Sequence, residues 1–98
     1  MSMSFGIIHR FAGGTKEQYE NSIKAVHPDG GKKLPKGQTI HLAGPTSDGW
    51  VIVAVHDSQA TWEDFRDNIL GPGLAKVENG FAGPPEETSF EVDHLQTS

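Results

Sequence analysis

The sequence predicts an α+β fold in which a four-stranded antiparallel sheet carries two helices on one face. The stretch from Gly49 to Asp57 is apolar on both faces of an extended strand, so it must be covered on both sides. Apolar residues recur along the chain with strand and helix periods in the order β-α-β-β-α-β. The length of 98 residues suits one core, so we expect a single domain over residues 1–98.

The first strand and helix are marked by a change of period. Ser4–Phe11 alternates as a strand, with Phe5 and Ile7 on one face, before two glycines interrupt it. Thr15 and Gln18 form a capping-box pattern that opens a helix running to about residue 26. Its apolar stripe consists of Tyr19, Ile23 and Val26.

The middle of the chain predicts an antiparallel hairpin. Gln38–Ala43 is the second strand, and the turn residues 44–49 join it to the third strand, Gly49–Asp57. We expect Ile40 and Leu42 to face the helices and His41 to lie on the opposite face of the sheet.

The last part of the chain predicts a second helix and a fourth strand. Ser58 is placed to cap this helix, and Gly71-Pro72-Gly73 is expected to interrupt it before a further short turn. The inward stripe is Trp62, Phe65 and Ile69, and the further turn carries Leu74, Val77 and Phe81. Thr88–Leu95 is the fourth strand, with Phe90, Val92 and His94 on one face.

Packing these elements with the usual handedness gives the ferredoxin-like arrangement, with strand order 4-1-3-2. The aromatic-rich rows, Phe90 among them, are then expected to meet the helices. The valine row of the third strand, Val51, Val53 and Val55, faces away from them and has nothing in this chain to cover it. We expect a second copy to cover this row across a two-fold axis, which predicts a homodimer.

Composition excludes several classes of partner. Thirteen acidic and eight basic residues give a net charge of −5, which argues against nucleic acid. No apolar run approaches the ~20 residues of a membrane span and the first residues do not resemble a signal peptide, so we expect a cytoplasmic protein with no membrane partner. The absence of cysteine excludes thiolate catalysis and cysteine-ligated metal.

Histidines are the main candidates for chemistry. Four of the five lie on predicted strands, and His27 is at the end of the first helix. We expect His27, His56 and His94 to lie at one end of the sheet, with His56 and His94 as candidate general bases. Their backbones would be about 10 Å apart, which disfavours a shared metal ion, and there is no HExxH motif, so no metal is expected. A structural role as strand-end or helix-end residues is the alternative for each.

The aromatic residues also have two interpretations. Those at helical spacing, such as Trp62 and Phe65, are expected mainly to form the core, and the alternative is that they line the wall of a pocket. Trp50 begins its strand, and we expect its indole N–H to reach a carbonyl.

Several segments together resemble a known superfamily. They are Leu34-Pro-Lys-Gly37, His41-Leu-Ala-Gly44, Asp48-Gly-Trp-Val-Ile-Val-Ala-Val-His-Asp-Ser58, Trp62-Glu-Asp-Phe65 and Leu70-Gly-Pro-Gly-Leu74. The chain thereby resembles the dimeric α+β barrel superfamily, and within it the small proteins near the antibiotic-biosynthesis-monooxygenase type. The resemblance implies a homodimer with a pocket between sheet and helices. Relatives include cofactor-free oxygenases of aromatic polyketides, cyclases, lactone isomerases and haem-degrading enzymes.

The resemblance bears on two pocket positions. His56 stands where such proteins commonly have tryptophan, and Trp62 matches a position that is often aromatic and lines the pocket. It therefore implies a pocket near these residues without fixing a reaction.

Two functions from different classes follow. The first is an enzyme without a cofactor, a monooxygenase, cyclase or isomerase acting on a hydrophobic, aromatic, polyketide-like compound, with His56 or His94 as base. The second is a binding protein that holds an apolar or acyl compound without turnover. A third possibility is a pocket filled by the protein's own side chains. The expected ligand-binding residues are Phe5, Tyr19, His27, Ile52, Trp62 and Phe65.

Overall fold

The strands form one antiparallel sheet, and the helices pack on one of its faces. The structure is a computed structural model, and it describes residues 3–97. In chain order the elements are β1 (Phe5–Ala12), α1 (Lys16–Val26), α2 (Pro28–Gly31), β2 (Gln38–Thr46), β3 (Gly49–His56), α3 (Gln59–Phe65), a π-helical segment (Arg66–Leu70), α4 (Gly71–Lys76) and β4 (Glu86–Glu91).

The sheet has the strand order β2-β3-β1-β4, which is the predicted order counted from the other edge. β3 is an interior strand, as expected from its two apolar rows. It pairs antiparallel with β1, so that Phe5 lies opposite His56 and Phe11 opposite Trp50. The α+β class is therefore confirmed, and the architecture is compatible with the ferredoxin-like arrangement.

One face of the sheet, which we call the inner face, forms the core with the helices. β1 contributes Phe5 and Ile7, α1 contributes Val26, and α3 contributes Trp62 and Phe65. Leu70 and Leu74 pack against this cluster from the second helical stretch. The faces predicted for β1 and β3 are thus confirmed.

The faces predicted for β2 are wrong. From Ile40 to Thr46 the pairing with β3 is regular, so His41 lies opposite Ala54 on the inner face, while Leu42 lies opposite Val53 on the outer face and is 55% exposed. The prediction assigned the apolar row of β2 to the helices, but the hairpin register places that row beside the valines of β3. Between Gln38 and Ile40 a β-bulge shifts the register, so that β2 uses three residues where β3 uses two and Gln38 lies opposite His56.

The prediction for β4 is also wrong in bounds and in face. The strand ends at Glu91, so His94 lies beyond it and is exposed. Phe90 lies opposite Gly6 on the outer face, where a Cβ on Gly6 would be 2.5 Å from the Phe90 ring. Gly6 has no side chain, and this leaves room for that ring. Since Phe90 faces outward, alternation along β4 turns Glu87 inward, opposite His9.

Both predicted helix starts are confirmed. The Thr15 side chain accepts a hydrogen bond from the Gln18 backbone N–H, and the Gln18 side chain accepts one from the Thr15 N–H, completing the capping box. Ser58 caps α3 by accepting from the backbone N–H of Thr61.

The predicted break at Gly71-Pro72-Gly73 does not occur. Gly71 has helical angles, φ −59° and ψ −57°, and its N–H bonds to the carbonyl of Arg66, five residues earlier. Proline normally clashes with the carbonyl four residues before it, here that of Asn68. The wider π-helical turn that contains Asn68 is the local geometry in which the chain passes Pro72 and continues as α4.

The predicted further turn of helix is present as α4, which ends at Lys76, before the predicted closure at Asn79-Gly80. Phe81 lies beyond it, and its ring stacks on Phe11 of β1 with centroids 3.7 Å apart. Trp50 is buried, and its indole Nε1 has no hydrogen-bond partner among residues 3–97, so the predicted bond to a carbonyl is wrong.

None of the helices within residues 3–97 has both the length and the apolar character needed to cross a membrane.

Candidate functional site

A cavity of about 230 Å³ lies between the inner face of the sheet and the helices. Residues from β1, β2 and β3 form its floor: Ile7, His9, His41, Ile52 and Ala54. Residues from the helices form most of its walls: Tyr19, Val26, Trp62, Phe65 and Leu74. The lining is mainly apolar, with a few polar side chains among the hydrophobic ones, which is the usual composition of a small-molecule site.

Five of the predicted site residues line this cavity: Tyr19, His27, Ile52, Trp62 and Phe65. Phe5 belongs to the same core cluster but does not line the cavity. The structure therefore brings the expected aromatic wall together at one cavity.

The two histidines predicted as bases lie elsewhere. His56 has no exposed surface and lies behind the cavity wall, with its ring 5.6 Å from the Trp62 ring. His94 is exposed beyond the end of β4. Neither lines the cavity, so a catalytic role for either has no direct contact to support it.

Six polar residues that were not predicted as site residues line the cavity: His9, Ser22, Gln38, His41, Arg66 and Glu87. Alternation along β1 puts His9 on the same face as Ile7, but no local pattern shows that its ring meets Glu87. His41 and Glu87 were hidden because the faces predicted for β2 and β4 are reversed in the structure. Gln38 carried no signal, because glutamine at a strand start is ordinarily a surface residue.

His9 and Glu87 form a hydrogen-bonded pair across β1 and β4. His9 Nε2 is 2.7 Å from Glu87 Oε1. A carboxylate only accepts, so Nε2 carries the hydrogen and, in the neutral ring, Nδ1 is unprotonated. The Trp62 ring lies beside His9, with centroids 5.7 Å apart. The pair therefore has the carboxylate–imidazole arrangement that holds a histidine as a base.

A second group of polar side chains runs from the cavity into the protein. The Tyr19 hydroxyl is 2.7 Å from His41 Nε2, and His41 Nδ1 is 2.9 Å from Gln38 Oε1. Gln38 Nε2 is 3.2 Å from His56 Nε2, which satisfies the amide and that buried imidazole. The bulge in β2 makes this possible, because it turns Gln38 to the inner face, where the hairpin register already places His41.

Burial keeps His27, His41 and His56 neutral. The pKa of His27 is lowered to about 4, mainly by loss of solvent and in part by the nearby rings of His41 and His56. Burial also lowers the pKa of His41 and of His56, and it raises the pKa of Tyr19. At neutral pH the cavity thus contains a protonated phenol beside neutral imidazoles.

Formal charges lie at the edge of the cavity. Arg66 and Glu87 both line it and are exposed, and Arg66 pairs with Asp67 at 2.8 Å. Within the described part of the chain, no three histidine, aspartate or glutamate side chains are grouped so that they could hold a metal ion.

No protein-family model, curated protein or solved structure matches the chain. Its function is therefore argued from the cavity.

Proposed function

We propose that the protein binds a small, largely apolar molecule of one or two rings in the cavity between sheet and helices. The volume of about 230 Å³ supports this size. A dry apolar cavity of about 150 Å³ accommodates benzene, so this one suits a molecule somewhat larger than a single ring. The aromatic side chains of Trp62, Phe65 and Tyr19 favour a planar ligand.

The function that the site supports best is proton removal from such a molecule, with His9 as general base. The observation that carries it is the 2.7 Å contact between His9 Nε2 and Glu87. His9 Nδ1 takes the proton of an acidic C–H, the electron pair of that bond passes into the substrate as an enolate, and Glu87 holds the imidazolium that forms.

This step is common to three of the reaction types that the family resemblance implies, namely isomerisation, cyclisation and cofactor-free oxygenation. An enolate is the first intermediate of a double-bond isomerisation and of a ring-closing condensation, and its reaction with dioxygen begins a cofactor-free oxygenation. Membership of the dimeric α+β barrel superfamily, the absence of a cofactor and a cytoplasmic location belong to the same proposal. The cavity volume favours a smaller compound than a multi-ring polyketide.

Exchange of carbon-bound hydrogen for deuterium tests the proposal without the natural substrate. 2-Tetralone is a two-ring ketone with acidic C–H groups, and its exchange in D₂O is followed by proton NMR. We expect the protein to accelerate exchange, and His9→Gln to lose about 10²-fold or more of that acceleration. Glu87→Gln should lose less, because His9 keeps its basic nitrogen.

Glu86→Gln is the matched control for Glu87→Gln. Glu86 is the neighbouring residue of β4, exposed and opposite Arg10, and it does not line the cavity. We expect exchange in this variant to equal that of the unaltered protein. Full acceleration in His9→Gln would contradict the assignment of the base.

A binding protein without turnover is the alternative, and one observation favours it. The polar groups of Tyr19, His41 and Gln38 bond to one another, so most of the polar side chains around the cavity have partners already. On this account 2-tetralone binds with no acceleration of exchange, and His9→Gln leaves its affinity unchanged.

We propose further that two copies pair through the outer face of the sheet. Val51, Val53 and Val55 lie on this face, together with Ile8 of β1 opposite Val53. Leu42 of β2 also lies opposite Val53 and is 55% exposed. Val55 is only 7% exposed within this chain, so the apolar area left to cover includes Val51, Val53, Ile8 and Leu42 rather than the whole valine row. This area supports a second copy as its cover.

A further inference from the structure

The hydrogen bonds that begin at Tyr19 continue past Gln38 to the surface. His56 Nδ1 is 3.4 Å from Thr61 Oγ1, and Thr61 Oγ1 is 2.7 Å from Asp57 Oδ1. The path from the cavity to Asp57 is therefore continuous, with an acceptor-only carboxylate at its outer end.

Asp57 fixes the direction of this path. Because the carboxylate only accepts, Thr61 must donate to it, and the Thr61 oxygen then accepts from His56 Nδ1. The Ser58 carbonyl, 3.1 Å away, is another acceptor within reach of the Thr61 hydroxyl. If Thr61 donated its hydrogen there instead, its oxygen would still accept the hydrogen of His56 Nδ1.

The direction continues inward to the cavity. With its hydrogen on Nδ1, neutral His56 accepts at Nε2 from the Gln38 amide, which places the Gln38 oxygen toward His41. His41 then donates from Nδ1, so its Nε2 accepts the hydrogen of the Tyr19 hydroxyl. The lowered pKa of both imidazoles supports the neutral rings that this arrangement needs.

The reversed arrangement is disfavoured at His56 and Thr61. If His41 donated to Tyr19, the Gln38 amide would flip and His56 would carry its hydrogen on Nε2, leaving Nδ1 without one. Thr61 could then donate to Asp57, which leaves the buried Nδ1 of His56 without a donor. Alternatively it could donate to His56, which leaves Thr61 Oγ1 and Asp57 Oδ1 at 2.7 Å with no hydrogen between them. The forward arrangement avoids both costs and gives every one of these contacts a hydrogen.

The Tyr19 hydroxyl hydrogen is thus committed to His41, and only the lone pairs of its oxygen are left for a ligand. We propose that the cavity selects ring compounds bearing a hydroxyl group, that is phenols, whose O–H donates to the Tyr19 oxygen. The inference rests on the proposed binding function and narrows its preferred ligands to those that donate to Tyr19, so a ketone such as 2-tetralone binds with its carbonyl oxygen directed away from the Tyr19 oxygen. A carbonyl, ether or carboxylate oxygen at this position would meet another acceptor.

The histidine tautomer is the first test, and it needs no ligand. Long-range ¹H–¹⁵N correlation spectra of the unaltered protein distinguish a protonated from an unprotonated ring nitrogen. We expect His41 to carry its hydrogen on Nδ1, with Nε2 unprotonated. His41 with its hydrogen on Nε2 would overturn the proposal directly.

A pair of probes tests the ligand class. 2-Naphthol and 2-methoxynaphthalene share their rings, and only 2-naphthol can donate. Their dissociation constants are measured by calorimetry for the unaltered protein and for Tyr19→Phe. We expect the preference for 2-naphthol to fall by roughly three- to tenfold in Tyr19→Phe, the value of one ordinary hydrogen bond. Because both probes are measured with both proteins, the difference in hydrophobicity between them cancels when the two preferences are compared.

The outcomes separate this inference from the proposed function. Equal preferences in both proteins would overturn the phenol assignment and leave the binding cavity standing. Failure of both probes to bind the unaltered protein would contradict the binding function and this inference with it. The Nδ1–H tautomer together with the reduced preference supports both.

Discussion

Burial of His27 beside another imidazole couples stability to pH at the scale of single residues. Its ring centroid is 4.6 Å from that of His41, and only 7% of the residue is exposed. Since the pKa is lowered to about 4 in the folded protein, the unfolded chain binds the proton more readily between that pH and its ordinary value of 6.5. The folded protein therefore keeps its full free energy of unfolding above pH 6.5 and loses part of it as the pH falls toward 4.

We expect the free energy of unfolding to drop by about 3 kcal/mol between neutral pH and about pH 4 because of His27 alone. His27→Phe removes the titrating group and keeps a ring against Phe65, so the drop should be smaller in this variant. Urea unfolding at a series of pH values measures it.

His94→Asn is the control for that series. His94 is exposed, so we expect the slope of stability against pH to match that of the unaltered protein. A slope in His27→Phe as steep as in the unaltered protein would show that His27 does not carry the effect.

Single residues of the site could be predicted only in part. The aromatic wall was predicted because Tyr19, Trp62 and Phe65 fall on apolar helix stripes, which periodicity reveals. His41 and Glu87 could not be placed, since each depends on the register of a strand against its neighbour. The pair of His9 with Glu87 joins residues 78 positions apart, which no local pattern reports.

At the scale of elements, the start of β3 is held very close to the end of β1. A Cβ at Gly49 would be 2.0 Å from the carbonyl oxygen of Phe11 and 2.7 Å from the Gly13 nitrogen. Both are backbone atoms of the paired strand and its turn, so neither can move without disturbing the sheet. Gly49 is therefore required for close approach.

We expect Gly49→Ala to destabilise the protein by about 2 kcal/mol or more, because the added methyl group cannot be accommodated by a side-chain movement. Gly44→Ala is the matched control on β2, where a Cβ meets nothing within 4 Å. It should change stability by no more than about 0.5 kcal/mol. Thermal unfolding of the two variants makes the comparison, and equal losses would refute this explanation of Gly49.

The elements themselves were largely predictable, and their irregularities were not. Capping residues at Thr15 and Ser58 fixed both helix starts, and turn residues fixed the hairpin between β2 and β3. The bulge after Gln38 appears only in the pairing of β2 with β3, and the π-helical turn before Pro72 is a backbone adjustment that residue propensities do not encode. Local propensity therefore predicted a break at Pro72 where the chain remains helical.

At the scale of the whole molecule, the sheet has one face covered by helices and a second apolar face that the other residues of 3–97 cover only in part, leaving Leu42 55% and Phe90 44% exposed. The order of strands followed from handedness and connection length, so it was predictable. How the outer face is covered depends on contacts beyond the chain, and the proposed homodimer is our explanation for it.

Light scattering at micromolar concentration tests the homodimer. We expect a particle of twice the 10.6 kDa chain mass. Val53→Lys places a charge in the centre of the outer face and should give a folded monomer, whereas Gln59→Lys, at an exposed position of α3, should remain dimeric. A monomeric unaltered protein would contradict the pairing.

The central claim is that the cavity binds a small ring compound, and methyl NMR tests it most directly. Ile52 and Val53 are neighbours on β3 with side chains on opposite faces, so they report on the cavity and on the outer face respectively. During titration with 2-naphthol we expect the methyl signals of Ile52, Val26 and Leu74 to shift while those of Val53 and Leu42 stay in place. Shifts confined to Val53 and Leu42, or no shifts at all, would contradict the claim.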